Sequence, residues 1–293
     1  MNSSPWNLLL VGVPAIVASA AVLAVASVSA SAWLVQAIAV CLALFIALAG
    51  KHLGRRGRTR FPARTVIVAC LVGLGTPMLG ALPGPDRWLS LGPVSLYMAP
   101  AVLPLFLAAC SILVALGGRS ERFACLAIAG ASLLLALHPD ASQAAALVAG
   151  AAVLLGRSRS RVSLATILAA ATSTIWAFVQ PDPLQPVAHV EGVFALAFGY
   201  SLFAGLLVAA SAVVLVAGLL LSSSESRIWL SAVAAYYAVL FACSIAELTP
   251  APIVGYGAGP LLGYGLLAAA SNWLATQVPP NNSSKPTPLR GAA

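Results

Sequence analysis

The sequence predicts an all-α polytopic membrane protein, a bundle of about ten transmembrane helices. Three observations carry that reading. Of the 293 residues, 61% are hydrophobic and only 8% charged, against roughly 25% charged in an average soluble domain. So few polar side chains cannot cover a soluble surface of this size. Mean hydropathy is +0.99, and the apolar residues fall in runs near the roughly 20 residues that a helix needs to cross a bilayer. The 15 basic and 7 acidic residues leave a net charge of +8. The cations sit in short clusters between the runs rather than on one folded face, as nucleic-acid binding would require. A soluble cytosolic enzyme, a secreted disulfide scaffold, a disordered chain and a nucleic-acid partner are all excluded.

The runs place spans at 8–27, 31–50, 65–82, 96–116, 123–138, 141–156, 162–179, 192–221, 228–247 and 255–276. In the first, Val28 to Ala32 is a small-residue stretch of the kind cleaved after a signal peptide. The leader Met1 to Asn7 has no basic side chain, so the span is read as retained. The fifth and sixth are short, and the eighth is long enough to tilt or to run beyond the core. Residues 1–276 thus form one ten-span domain, and the Ser-, Asn- and Pro-rich stretch 277–293 a disordered cytoplasmic tail whose Lys285 and Arg290 touch anionic lipid.

The loops orient the bundle. Six basic residues lie between Lys51 and Arg64, two at Arg119 and Arg122, three from Arg157 to Arg161, then Arg227, Lys285 and Arg290. In a ten-span arrangement 14 of the 15 share one side and Arg87 stands alone on the other. The positive-inside rule puts both termini in the cytoplasm. Asp86, Asp140, Asp182, Glu191, Glu247, His138 and His189 then map to the outer face, and only Glu121, Glu225 and His52 join the basic residues inside. A site built on these side chains faces outward. No phosphate-binding glycine loop is present, which argues against direct nucleotide-driven pumping. Few charges fall inside spans, which argues against a transporter of lipid-linked substrates. The five cysteines (41, 70, 110, 125 and 243) all lie in apolar runs, without CxxC or zinc spacing, and read as small hydrophobes.

Four outer-face stretches carry chemistry. Gly84-Pro85-Asp86-Arg87-Trp88-Leu89-Ser90-Leu91-Gly92-Pro93 sets the lone outer arginine beside an indole. Read alone, this is an interfacial anchor with a snorkelling cation. It resembles the RRWxxLG loop of the SEDS family (FtsW, RodA and SpoVE), which polymerises glycan strands from lipid-linked precursors. His138-Pro139-Asp140-Ala141-Ser142-Gln143-Ala144 is similar to that family's QPDLGTA segment. The stretch 184–195, with His189 and Glu191, is similar to its LPEAHTDFIFA segment, and Ala251 to Gly259, with Tyr256, to LPFISYGGS. All four occur in the family's order, and ten spans is the family's number.

The resemblance implies a protein of cell-envelope synthesis, in cell shape or division, that acts on an undecaprenyl-linked glycan precursor by glycosyl transfer at the outer face. It implies Glu191 as the catalytic base, at the position of the family's essential aspartate. Arg87, Trp88, Asp140, His189 and Tyr256 would bind substrate, with Arg87 the outer cation that meets the departing diphosphate. A divalent metal ion held by Glu191 and Asp140 is the one cofactor to consider, and a single-span transpeptidase-like protein the expected partner. Departures are as definite. Tyr97, Met98, Ala99, Pro100 and Leu103 stand where the family has QPSE and a following lysine, and Gly199-Tyr200 where it has a glutamate pair. The alternative is therefore a non-catalytic SEDS-like scaffold or binding subunit.

The last outer stretch also has a packing reading. Gly255, Gly259 and Gly263 recur at the small-xxx-small spacing that brings helices close. Pro250 and Pro252 keep the preceding segment non-helical. Non-helical backbone at membrane depth needs protein or a wet cavity around it, so a hydrophilic cavity open to the outer leaflet is expected here.

Overall fold

The computed structural model describes residues 5–55, 62–79, 87–91, 94–181, 187–224 and 227–277. The tail expectation for 277–293 falls almost wholly outside them, as do Asp86, Asp182 and Glu225. The chain order is α1 (Pro5–Val25), α2 (Ala30–Arg55), α3 (Ala63–Gly75) with a 3-10 turn Thr76–Leu79, β1 (Trp88–Leu91), β2 (Val94–Tyr97), α4 (Met98–Leu116) and α5 (Gly118–Leu137). Then follow α6 (Ala141–Leu155), α7 (Arg161–Val179), α8 (Val193–Tyr200), α9 (Leu202–Leu221), α10 (Ile228–Ile245) and α11 (Ala258–Gln277). Helices dominate because a backbone in lipid must satisfy its own hydrogen bonds.

Among the described residues seven helices are long and apolar enough to cross a membrane: α1, α2, α4, α5, α7, α9 and α10. The apolar parts of α3, α6 and α11 are shorter. These ten overlap the ten runs of the sequence, only seven of them long enough to count as spans, and α8 is cut from the eighth run. The run 192–221 is not the single long helix expected. It breaks at Ser201, whose backbone is extended (φ −165°, ψ 152°) and whose hydroxyl accepts from the Ala204 amide at 3.1 Å. Serine is a strong N-cap, and hydropathy is equally high on both sides of it, so the pattern of apolar residues could not mark the break.

The second difference is a small antiparallel hairpin, β1 with β2, in register Trp88↔Tyr97 and Leu91↔Val94. Gly-Pro between the two runs is a turn marker, although Gly92 and Pro93 themselves lie outside the described residues.

At the centre α4 packs against α3, α5, α6, α10 and α11. The peripheral α2, α7 and α9 present Phe45, Leu168, Trp176, Phe203 and Val213 outward, as lipid-facing helices do. Close approach of α11 to α4 rests on two of the glycines flagged in the sequence. A Cβ at Gly259 would overlap the Tyr97 carbonyl oxygen, and one at Gly263 the Pro100 carbonyl oxygen. This contact fixes where α4 begins, and so where Tyr97 stands.

Between α10 and α11 the chain is non-helical and its residues 249–255 are buried, as the prolines require. This connector runs from Ala246 to Gly257. Protein surrounds it: α1, α2, α6 and the turn before α8 all bond to it.

Candidate functional site

The hairpin delivers the first group of side chains. Its register sets Trp88 opposite Tyr97, and the two rings stack with centroids 5.1 Å apart and an interplanar angle of 20°. The Met98 amide donates to the Arg87 carbonyl at 3.4 Å, carrying the pairing into the start of α4. Tyr97 is thus fixed both as a strand residue and as the N-cap of α4. Its hydroxyl donates to Asp140 Oδ2 at 2.6 Å.

Asp140 stands at a second helix start. It is the N-cap of α6, and its Oδ1 accepts from the Gln143 amide at 3.4 Å. Aspartate suits that position because it satisfies an amide left over at the helix start. Gln143 Oε1 in turn accepts from the Tyr236 hydroxyl on α10 at 2.6 Å. A line of polar groups therefore descends from the hairpin into the bundle. Asp140 is 1% exposed and Arg87 8%. Both charges act on the same phenol. Burial pushes Tyr97 well above the usual tyrosine range, the Asp140 charge pushes it further, and Arg87 opposes them. Tyr97 is accordingly a proton donor at neutral pH. The buried Thr249 of the connector lies beside it.

The second group is the turn before α8. The amides of Val190, Glu191 and Gly192 all donate to the Val187 carbonyl, at 2.9, 2.9 and 3.2 Å. Glu191 Oε2 accepts from the Val187 amide at 2.8 Å, closing the turn on itself. The His189 ring meets Tyr256 edge-on with centroids 5.7 Å apart. Backbone bonds clamp the turn to the connector, from the Tyr256 amide to the His189 carbonyl at 3.0 Å and from the Ala251 amide to the Val190 carbonyl at 3.1 Å. Burial raises the Tyr256 phenol.

The connector joins the two groups. Ser142 Oγ on α6 donates to the Leu248 carbonyl at 3.2 Å. Ser19 Oγ on α1 donates to the Gly255 carbonyl at 3.3 Å. Gln36 Nε2 on α2 donates to Ser19 Oγ at 2.9 Å and to the same Gly255 carbonyl at 3.4 Å, and its Oε1 accepts from the Gly257 amide at 3.1 Å. These anchors hold Glu247 (φ 57°) and Ile253 (φ 67°) in left-handed backbone, a conformation costing about 1–3 kcal/mol per non-glycine residue. Such strain persists only where the surroundings over-determine it.

Of the residues proposed from sequence, Arg87, Trp88 and Asp140 thus gather around Tyr97, while His189, Glu191 and Tyr256 gather on the turn. Tyr97, Gln143, Thr249, Ser19 and Gln36 were not among them. Gln36 left a signal, being the one strongly polar side chain in its apolar run, and such residues inside a membrane segment mark functional positions by default. Tyr97 left none as a site residue, because its strand brings it to Asp140 only through the fold. Among the described residues no group of three or more His, Cys, Asp or Glu side chains is arranged to hold a metal ion, so no chemical step is assigned to one.

No protein-family model and no curated protein matches the sequence. Solved structures do. The crystal structure of the rod shape determining protein RodA of Thermus thermophilus is 20% identical, with a TM-score of 0.68, over 96% of this chain and 99% of that one. The structure of an aspartate-to-alanine mutant of the same protein is 19% identical, with a TM-score of 0.67, over 96% and 100%. At that identity the likeness establishes the fold. The chain has the RodA fold along nearly its whole length, the fold that the four outer stretches implied.

Proposed function

We propose that this chain is a SEDS-type protein of cell-envelope synthesis, serving cell shape or division in a bacterial inner membrane with both termini cytoplasmic. On this reading it transfers glycan from an undecaprenyl-linked precursor at the outer face. The observation that carries the reading is the gathering of Arg87, Trp88 and Asp140 around Tyr97 at one end of a RodA-like bundle, since residues from two separate matched stretches converge there.

The chemistry assigns each residue a task. An acceptor hydroxyl attacks the anomeric carbon of the donor sugar, a new C–O bond forms, and the bond from that carbon to the lipid diphosphate breaks. Glu191 takes the acceptor's proton, raising its nucleophilicity. Arg87 offsets the charge that develops on the diphosphate. The indole of Trp88 offers a face for a sugar ring, while Asp140 and Tyr97 orient polar groups of the substrate. His189 and Tyr256 shape the second wall. A single-span transpeptidase-like partner completes the assembly in the bilayer.

One observation favours the scaffold reading. The Glu191 carboxylate accepts from its own turn, a structural use, and Pro100 and Leu103 stand where the family has a carboxylate and an amine. Purified protein supplied with lipid-linked disaccharide, with and without a candidate transpeptidase, separates the readings. Glycan product from the wild type that disappears in Glu191→Gln supports transfer. Partner binding with no product under any condition supports the scaffold.

A further inference from the structure

At the end of the bundle that carries the arginine-rich loops, a cavity of about 260 Å³ opens between α4, α6 and α10. Ser111, Val114, Ala115, Leu154, Arg157, Ser158 and Ile228 line it, with Ser111 and Leu154 buried and Ala115 and Arg157 exposed. Its origin is the length of α6. Fifteen residues span about 22 Å at 1.5 Å per residue, against roughly 30 Å of hydrocarbon. The 19 residues of α4 reach about 28 Å. At the other end of α6 the shortfall is covered, because the hairpin and connector close over Asp140 and Ser142. At this end it is left as a recess.

We infer that the recess binds one anionic phospholipid, with the headgroup phosphate at Arg157 and the start of an acyl chain along Val114, Ala115 and Leu154. The lining offers such a ligand an exposed cation at Arg157 and apolar side chains at Val114, Ala115, Leu154 and Ile228, while the buried Ser111 hydroxyl is already bonded to the Ala108 carbonyl at 2.7 Å. At ~30 Å³ per water the space equals about eight or nine waters, enough for a glycerophosphate head. Arg157 sits just beyond the α6 terminus, exposed, and among the described residues no carboxylate bonds to it. Glu121 is the described acidic side chain at this end. Its Oε1 accepts from Ser160 at 2.9 Å and Ser163 at 3.0 Å, and Arg122 acts on it electrostatically. Arg227, next in sequence to Ile228, donates from Nε to Ser224 Oγ at 3.1 Å and adds to the positive charge of this end. Basic pockets between helices at the cytoplasmic face are where acidic headgroups bind, and lipid is the material that fills a recess in a bundle wall.

The test compares phosphatidylglycerol, phosphatidylcholine and inorganic phosphate on purified protein, by native mass spectrometry and thermal shift in neutral detergent. Retention of one phosphatidylglycerol per chain, with a raised Tm, is expected, and neither from the other two probes. Arg157→Gln should retain at least fivefold less. Ala115→Leu, which fills the recess and keeps the charge, should do the same. Arg119→Gln, on the neighbouring loop, should retain the wild-type amount. Equal losses in Arg119→Gln and Arg157→Gln would overturn the site in favour of diffuse surface charge. An equal shift from inorganic phosphate would overturn the lipid as its occupant.

Discussion

Tyr97 and Asp140, 43 positions apart in sequence, are joined by a hydrogen bond of 2.6 Å. One caps α4 and the other caps α6, so a single contact locks two helix starts to the hairpin and places a carboxylate beside an indole and a guanidinium.

Replacing Asp140 separates its two duties. Asparagine is as good an N-cap as aspartate, so Asp140→Asn should leave α6 and the melting temperature nearly unchanged while reducing glycan product. Asp140→Ala should lose the cap as well, at about 1 kcal/mol. Thermal melts beside product assays on the same preparations check both.

Tyr97→Phe removes the donor and leaves a buried oxygen short of a partner, which costs about 1–3 kcal/mol. The folded state holds the Tyr97 proton above the usual tyrosine pKa. Its share of stability is therefore intact below about pH 10 and declines as pH rises beyond that, because the unfolded chain releases the proton first. Melts from pH 8 to 11 should show a steeper alkaline loss in the wild type than in Tyr97→Phe. Identical slopes would remove Tyr97 as the source.

At position 191 the comparison is Gln against Asp at matched expression. Loss of a general base costs roughly 10²–10⁴ in rate, so Glu191→Gln should fall in that range and Glu191→Asp keep part of the activity. Equal product from the two variants ends the catalytic assignment.

Gly263→Ala drives a methyl group into the Pro100 carbonyl. The backbones must separate, at about 1–3 kcal/mol, and the start of α4 shifts with them. Gly199→Ala meets open space and should be neutral or slightly stabilising, since alanine is favoured over glycine within a helix by about 0.5–1 kcal/mol. Chemical denaturation of the pair checks the contrast.

In a cysteine-free background, a thiol at Val187 should react with a membrane-impermeant reagent on intact cells, and one at Ser223 only after lysis. Labelling of Ser223 from outside would invert the orientation drawn from the arginine distribution.

The apolar helices were legible in the sequence because hydropathy is written residue by residue. The break at Ser201 was not, since Tyr200 and Leu202 are as apolar as their neighbours and only capping distinguishes the serine. Arg87, Trp88 and Asp140 were found through their resemblance to known stretches. Tyr97 occupies a position where that resemblance fails, and its meeting with Asp140 depends on a strand register that hydropathy does not encode. The hold of Ser19 and Gln36 on Gly255 was equally out of reach, because those residues are more than two hundred positions apart.

That separation has a consequence for biosynthesis. Ser19 and Gln36 are inserted early and meet each other within two neighbouring helices, with Gln36 donating to Ser19 across 17 positions. Their remaining partners, the Gly255 carbonyl and the Gly257 amide, lie more than two hundred positions later, roughly ten or more seconds at 5–20 residues per second. During that interval the amide of Gln36 waits in the bilayer with its bonding incomplete, a condition that holds the first two helices loosely placed. The last helix and the loop before it therefore act as the closing stitch. A chain truncated before Gly255 should insert its earlier spans and still be cleared as an unfinished product.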